Sequence, residues 1–147
     1  MRKPHYKIVI NCVLTVVIVF LTILFCVKYK IIIVSGDSME PTLRDGQIII
    51  TSRDIGTIKE SDIVIFEYSN ELCIKRVIAI AGDEVIMKDN GIYLNGVKIS
   101  EVTYDGEYKA YSIQEGELFV IGDNERYSFD SRDYGPIKIE VVKYIYR

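Results

Sequence analysis

The hydrophobic positions of this 147-residue chain form one long run near the N-terminus and many short runs after it. Residues 8–27, IVINCVLTVVIVFLTILFCV, contain no charged residue and three polar side chains, those of Asn11, Thr15 and Thr22. Twenty residues rise about 30 Å as an α-helix, which matches the hydrocarbon core of a bilayer. The run therefore predicts a transmembrane helix over residues 8–27.

A cleaved signal peptide and a buried core helix are the alternatives for this run. Apolar regions of signal peptides are usually about 7–15 residues long and end at small residues. Here the run is longer, and KYKIII follows it in place of an A-x-A pattern. The rest of the chain is too small and strand-rich to enclose a helix. We therefore expect a retained span, with a cytoplasmic tail over residues 1–7 and a connector over residues 28–34.

From residue 45 onward the apolar runs are short and separated by turn residues. GQIIITSR and SDIVIFEYS are β-branched and aromatic runs bounded by Gly, Asp and Ser. Asn90-Gly91 and Asn95-Gly96 are tight-turn signals between strand formers. Apolar residues recur nowhere here at helical spacing over about 11 positions. The pattern predicts a mostly β protein, with one compact antiparallel β domain over residues 35–147 after the transmembrane helix.

The charges divide the chain at the same place. Residues 1–34 carry five basic residues and no acidic one, whereas residues 35–147 carry all 21 acidic residues and 13 basic ones, a net charge of −8. Such a domain would repel phosphates, so nucleic acid is excluded as a partner. The basic residues before the span slightly outweigh those after it. This favours a cytoplasmic N-terminus and a β domain outside the plasma membrane.

The cysteine and histidine content restricts the chemistry further. Cys73 is the single cysteine of the β domain, since Cys12 and Cys26 lie in the expected span, so no disulfide is expected there. The chain has no C-x-x-C pair and one histidine, His5, in the N-terminal tail. We therefore expect no zinc site built from protein histidines, no other metal site and no cofactor.

Ser38 is the candidate nucleophile, in SGDSMEPTL at residues 35–43. His5 would lie across the membrane from it, which excludes a Ser-His-Asp triad by geometry. The remaining bases are carboxylates and lysines, and a lysine serves as a base only where burial lowers its pKa. Taken alone, Ser38 is more typical of a turn or cap serine before Pro41.

Lys75 lies in the middle of an apolar strand face. In LCIKRVIAIAGD, alternation places it with Cys73, Val77, Ala79 and Ala81. This position suits a buried lysine that loses its proton and serves as a general base. It also suits an edge-strand lysine that discourages aggregation, or one whose ammonium extends to water. The strand pattern by itself leaves these alternatives open.

Four blocks follow one another along the chain: GDSMEPTL (36–43), SDIVIF (61–66), KRVIAIAGD (75–83) and GDNERYSFDSRDYGPI (122–137). In the same order they resemble the nucleophile box, the following strand, the lysine box and the C-terminal box of bacterial type I signal peptidases. The resemblance is to the short, single-span kind typical of Gram-positive bacteria, and it covers nearly the whole chain. It implies a membrane-bound serine endopeptidase that removes signal peptides from exported preproteins, with a β fold related to that of Ser–Lys self-cleaving repressors.

The resemblance also implies roles for individual residues. Ser38 would attack the scissile carbonyl, Lys75 would be the general base, and Ser128 would hydrogen-bond and orient the lysine amine. The supporting positions near the site are Met39, Arg76, Asp123, Asp130 and Arg132. The charged ones equally suit ordinary surface pairs, Ser128 a surface loop, and Met39 a gap-filling core residue.

The chain departs from the family pattern at three positions. Glu125 replaces the arginine of G-D-N-R, with Arg126 one place later. Gly36 stands where some relatives have a serine that helps to bind the oxyanion, and Ala79 replaces a glycine common in the lysine box. We therefore expect the backbone N–H of Ser38 to be the main oxyanion donor. The lysine at position 75 argues against the eukaryotic-type branch, which uses histidine.

The partners implied by the resemblance are preprotein signal peptides and the lipid bilayer, with the protein-export machinery as a further candidate. The substrate would add as an extended strand beside the site, with shallow apolar pockets for small side chains. Residues 48–50 and 63–66 are candidate linings of those pockets. The alternative functions are a Ser–Lys self-cleaving repressor and a non-catalytic, membrane-anchored β module derived from a peptidase.

Overall fold

The computed structural model describes residues 5–88, 91–100 and 108–147. Residues 1–4 of the expected tail and Asn90 of the expected Asn90-Gly91 turn lie outside these ranges. The described α-helices are α1 (His5–Lys28) and α2 (Ser131–Tyr134), and short 3-10 helices cover Glu125–Tyr127 and Ile139–Val141. The described strands are β1 (Tyr29–Ile33), β2 (Ile48–Ser52), β3 (Ile63–Tyr68), β4 (Glu71–Ala79), β5 (Glu84–Lys88), β6 (Gly91–Leu94), β7 (Val97–Ser100), β8 (Lys109–Ser112), β9 (Glu117–Ile121), β10 (Ile137–Lys138) and β11 (Val142–Tyr146).

Helix α1 contains the apolar run and extends it slightly at both ends. Its segment from Tyr6 to Lys28 has a mean hydropathy of 3.0 and is long enough to cross a membrane, with none of that window buried against protein. The Thr15 and Thr22 hydroxyls donate hydrogen bonds of 2.9 Å to the carbonyls of Asn11 and Ile18. Their polar groups are thus satisfied inside the helix, as lipid surroundings require. The buried core helix is excluded as an interpretation.

The segment expected to be a connector, residues 28–34, is largely strand β1. It pairs antiparallel with β2, so that Ile31 lies opposite Ile50 and Ile33 opposite Ile48. The backbone N–H of Arg53 also donates to the carbonyl of Lys28 at the end of α1. The prediction of a connector assigned no strand to this segment, because the sequence of a short apolar run does not show which strand it will pair with. Helix α1 therefore continues directly into the sheet.

The strands form two antiparallel sheets, which confirms the predicted mostly β fold. The larger sheet has the order β1-β2-β11-β3-β4-β9-β10, and the smaller has the order β7-β6-β5-β8. Asn95 and Gly96, with φ of 50° and 81°, form the tight turn between β6 and β7, and residues with positive φ suit such hairpin turns. This predicted turn is confirmed.

Three buried clusters hold the sheets and loops together. One lies between the two sheets and includes Ala79, Met87 and Phe119. A second packs β3, β4 and β9 against the C-terminal part of the chain. The third joins Met39 and Leu43, each 1% exposed, to residues of β2 and β3. The last cluster fixes the segment that carries Ser38.

Candidate active site

Ser38 projects from an anchored turn between β1 and β2. The Glu40 N–H donates to the Asp37 carbonyl at 3.1 Å, and the Leu43 N–H donates to the Met39 carbonyl at 2.9 Å. Met39 follows Ser38 directly and is buried, as the core interpretation of this methionine requires. Because Met39 and Leu43 are held in the core, the half-buried Ser38 has little freedom to move relative to β3 and β4.

Lys75 lies in the middle of β4 and reaches Ser38. The lysine is 5% exposed, and its Nζ donates a hydrogen bond of 2.7 Å to Ser38 Oγ. Val77 and Ala79 on the same strand face are buried, whereas Ala81 lies beyond the strand and is exposed. The predicted apolar face of β4 is thus present up to Ala79. Lys75 is turned towards a serine hydroxyl and not towards water.

The surroundings of Lys75 favour its neutral form. Burial lowers the pKa of the amine below its ordinary value of 10.5. The neighbouring Asp130 and Cys73 act in the opposite direction and raise this pKa, whereas Arg132 lowers it further. Burial has the largest effect, so Lys75 is a stronger candidate for a base than a solvated lysine.

A loop that follows β9 is hydrogen-bonded to the turn that carries Ser38, here called the nucleophile segment (residues 37–39). The Asn124 N–H donates to the Ser38 carbonyl at 2.9 Å, and the Asn124 side chain donates to the Asp37 carbonyl at 3.0 Å. Beside it, Arg76 binds both carboxylate oxygens of Asp123 at 2.7 and 2.6 Å. The sequence analysis missed Asn124, although its place in GDNERYSF, between two residues that were considered, was an available signal.

Asp130 and Arg132 form a second, more deeply buried ion pair in the same loop. Asp130 is 0% exposed, and it accepts hydrogen bonds of 2.8 Å from Nε and from Nη2 of Arg132. The Gly122 N–H donates to the other side of this carboxylate at 3.0 Å. Burial is the largest single influence and lowers the pKa of the Arg132 guanidinium, but the hydrogen bonds to Asp130 and the negative charges of Asp130, Glu125 and Asp133 together raise this pKa above its ordinary value. The interpretation as an ordinary surface pair is wrong for these two residues.

Ser128 lies close to the nucleophile segment but does not bind Lys75. Its Oγ is buried and has no hydrogen-bond partner among the residues that the structure describes. The expected hydrogen bond to the lysine amine is therefore not formed. Ser128 packs instead against Gly122, where an added Cβ would lie 2.6 Å from Ser128 Cβ and 2.5 Å from the Ser38 carbonyl oxygen.

Replacing Gly122 by alanine is expected to lower kcat/KM by about 100-fold, because the added methyl group must push the Ser38 backbone away from Lys75 and misplacement of about 1 Å has that order of effect. Peptide cleavage by full-length Gly122→Ala protein measures this loss. Circular dichroism serves as the check that both sheets persist. Wild-type activity in the variant would show that the nucleophile segment is not confined at Gly122.

A cavity of about 300 Å³ adjoins Ser38 and Lys75. Its walls come from residues 32–36 on one side and residues 71–75 on the other, with Met39 and Ile65 between them. Residues 71–75 pair with β3, but β9 pairs with β4 only from Arg76 onward, so the second edge of this half of β4 has no described strand beside it. Of the predicted linings, Ile65 is present, whereas Ile48 and Ile50 are exposed elsewhere.

The profile of the family described as "Signal peptidase, peptidase S26" matches residues 6–143. The chain belongs to the signal peptidase family. The relatives that it resembles are signal peptidases I of Gram-positive bacteria, which decides against the self-cleaving repressor.

Three relatives of this chain are 31–38% identical to it. Signal peptidase I of Bacillus licheniformis is 38% identical over 120 residues, covering 69% of this chain and 64% of the relative. Signal peptidase I V of Bacillus subtilis (strain 168) is 35% identical over 134 residues, 76% of this chain and 78% of that protein. Signal peptidase IB of Staphylococcus aureus (strain COL) is 31% identical over 163 residues, 93% and 84% respectively.

A solved structure agrees with the fold of this signal peptidase. The crystal structure of a signal peptidase I from Enterococcus faecalis V583 superposes with a TM-score of 0.51 at 26% identity, covering 63% of this chain and 98% of that one. The chain spans a little under two thirds of the B. licheniformis relative, at 64% of its length.

Proposed function

We propose that this protein is a membrane-bound serine endopeptidase that removes signal peptides from exported preproteins, with Ser38 and Lys75 as its catalytic pair. The observation that carries the proposal is the 2.7 Å contact between Lys75 Nζ and Ser38 Oγ inside a buried strand face. A nucleophile within hydrogen-bond distance of its base is the signature of covalent catalysis. The names of the relatives supply the substrate class.

In this mechanism neutral Lys75 accepts the hydroxyl proton of Ser38 while Oγ attacks the scissile carbonyl. The tetrahedral intermediate collapses as the Lys75 ammonium gives the proton to the leaving amine of the mature protein. Lys75 then takes a proton from water, and the hydroxide attacks the acyl-serine ester. The bond between the acyl carbon and Oγ breaks as the Lys75 ammonium returns its proton to Ser38 Oγ, and the signal peptide leaves as a carboxylic acid that loses its own proton to water. The Lys75 amine accepts and returns the protons at Ser38 in both half-reactions, so no histidine is needed.

The developing oxyanion needs a preorganised donor near Ser38. The Gly36 N–H is already engaged, because it donates to Asp45 Oδ1 at 2.8 Å. The Ser38 N–H makes no hydrogen bond to another residue within the described parts of the chain. It is therefore available to the substrate, and we retain it as the proposed donor.

The cavity beside the pair suits an extended peptide. A substrate strand placed along the open edge of residues 71–75 would hydrogen-bond to their backbone, as in other cases of strand addition. The apolar lining by Met39, Ile65 and Ile74 then faces its side chains. A space of about 300 Å³ shared by several side chains favours small ones.

The site is held close to the membrane by α1 and by the outer face of the β1–β2 ribbon. Ile31, Ile33, Ile48 and Ile50 are exposed on these two strands, and their register places them in facing pairs. The N-terminus would be cytoplasmic and the catalytic domain outside the plasma membrane, where signal peptides emerge. The protein-export machinery is a further proposed partner.

The proposal is tested with full-length protein in detergent and a preprotein that has alanine at positions −3 and −1. Wild-type protein is expected to cut after the −1 alanine, with the product mass fixing the bond, and Ser38→Ala is expected to be inactive. Lys143→Ala changes an exposed lysine that pairs with Glu67. It is the control for activity lost during purification. Folded wild-type protein that cuts no preprotein in the presence of lipid would favour the non-catalytic β module.

The pH dependence of cleavage is expected to follow the neutral fraction of Lys75. Because the amine must be neutral to accept a proton, kcat/KM rises as pH increases through the Lys75 pKa. Burial places that pKa below 10.5, so the rising limb is expected at a pH lower than for a solvated lysine. Initial rates across neutral and alkaline pH locate it. A rising limb at 10.5 or above would exclude Lys75 as the buried base.

A further inference from the structure

Glu125 has partners on both sheets. Its carboxylate accepts a hydrogen bond from Ser100 Oγ, at the end of β7 in the smaller sheet. The same oxygen, Oε2, lies 3.6 Å from Arg132 Nη1, and the Glu125 carbonyl accepts a hydrogen bond of 2.7 Å from Arg132 Nη2. One residue therefore joins the smaller sheet to the loop that packs behind Ser38.

The contact with Ser100 is made beside a cleft of about 240 Å³ between the two sheets. Ile78 and Ile121 line the cleft from the larger sheet, and Ile99 lines it from β7. Ser100 itself is 8% exposed. The Glu125 side chain is 26% exposed, and a hydrogen bond from a hydroxyl to a carboxylate is stronger than one between neutral groups.

Arg132 links Glu125 to the residues that pack against Ser38. It binds Asp130 through Nε and Nη2, and Asp130 in turn accepts the Gly122 N–H. Gly122 packs directly against the carbonyl oxygen of Ser38. Lys109 on β8 also donates to the Arg132 carbonyl, at 3.1 Å. Among the residues that the structure describes, the smaller sheet thus contacts this loop through Glu125 and through Arg132.

A negatively charged side chain at position 125 suits the surroundings formed by Ser100 and Arg132, whereas the arginine of the family pattern does not. An arginine side chain has no acceptor for the Ser100 hydroxyl. It would also bring a second guanidinium towards Arg132, whose charge is balanced here by Asp130 and Glu125. The neighbours of position 125 therefore suit the glutamate of this chain and not the arginine of the family pattern.

We propose that Glu125 is a positioning residue that fastens the loop of residues 122–132 to the smaller sheet through Ser100 and thereby holds Ser38 against Lys75. The effect on catalysis rests on the proposed function. The fastening of the loop does not, and it is measured without any substrate.

Hydrogen exchange of the full-length protein in detergent, followed by mass spectrometry, tests the link directly. Glu125→Ala and Ser100→Ala are each expected to raise exchange in peptides from residues 122–132 by about 10-fold, the usual order for loss of a charged hydrogen bond. The double variant should exchange no faster than the more affected single variant, since one interaction is removed. Glu125→Gln keeps an acceptor for Ser100 and should restore most of the protection. Glu140→Ala, at an exposed position, is the control.

Cleavage kinetics supply the second readout. Glu125→Ala is expected to lower kcat about 10-fold with KM within about twofold, because Glu125 does not line the cavity beside Ser38. Unchanged exchange in the loop, additive effects of the two single variants, or loss of protection throughout both sheets would each overturn the proposal. If wild-type protein cleaves nothing, the proposed function fails while the exchange comparison still decides whether Glu125 fastens the loop.

Discussion

Replacing Lys75 by methionine is expected to reduce kcat/KM for preprotein cleavage by at least about 10⁴-fold, because it removes the only base in contact with Ser38 among the described residues. Methionine has a similar length and no amine. Lys75 is 5% exposed, so an apolar side chain suits its surroundings better than an amine does. The variant is therefore expected to fold and to melt at the wild-type temperature or above it.

The measurement combines single-turnover cleavage with thermal unfolding followed by circular dichroism. Lys143→Met is the matched control, since that lysine is exposed and pairs with Glu67 on the surface. It should retain wild-type cleavage. If Lys75→Met kept more than about a tenth of the wild-type rate, the assignment of the base would be wrong, since a general base contributes at least about 10²-fold.

Replacing Asp130 by alanine is expected to lower the free energy of unfolding by about 3–5 kcal/mol, the usual loss when one partner of a buried ion pair is removed. The carboxylate is completely buried and accepts hydrogen bonds from the Arg132 side chain, the Arg132 N–H and the Gly122 N–H. Its loss leaves the mostly buried Arg132 guanidinium without its main counter-charge. Cleavage should fall as well, because Gly122 packs against Ser38.

Urea unfolding of the full-length protein in detergent measures the change. Glu67→Ala is the control, because Glu67 is exposed and pairs with an exposed lysine, Lys143, at 3.2 Å, and exposed pairs contribute little. Its unfolding midpoint should stay close to that of the wild type. A loss below about 1 kcal/mol in Asp130→Ala would show that the loop tolerates an unpaired Arg132, contrary to the expectation for buried pairs.

Local patterns were enough to predict the parts of the fold that depend on neighbours in sequence. Twenty uncharged residues predict the span because a bilayer has a fixed thickness. The Asn95-Gly96 pair predicts a tight turn because these residues accept positive φ. Alternation along β4 placed Lys75 on an apolar face because side chains of a strand point to opposite sides in turn. That face was predicted one alternate residue too far, to Ala81.

The pairing of β1 with β2 could not be predicted from local sequence patterns. Residues 31–34 are apolar in sequence, which suits a connector near lipid as well as an edge strand. Only β2 decides between these, because the backbone donors and acceptors of β1 need a partner. The same applies to Ser128, whose place in the box implied a contact with Lys75 and whose Oγ lies against Gly122 in the structure.

The sequence by itself determined a mostly β protein with an apolar helix, a candidate serine nucleophile and a lysine on an apolar strand face. Only the tertiary structure decided that Ser38 and Lys75, 37 residues apart, lie 2.7 Å from each other. It also decided that Asn124 holds the nucleophile segment and that Glu125 reaches Ser100 on the other sheet. Burial and strand periodicity act over a few residues, whereas these contacts depend on how distant strands are ordered in the sheets.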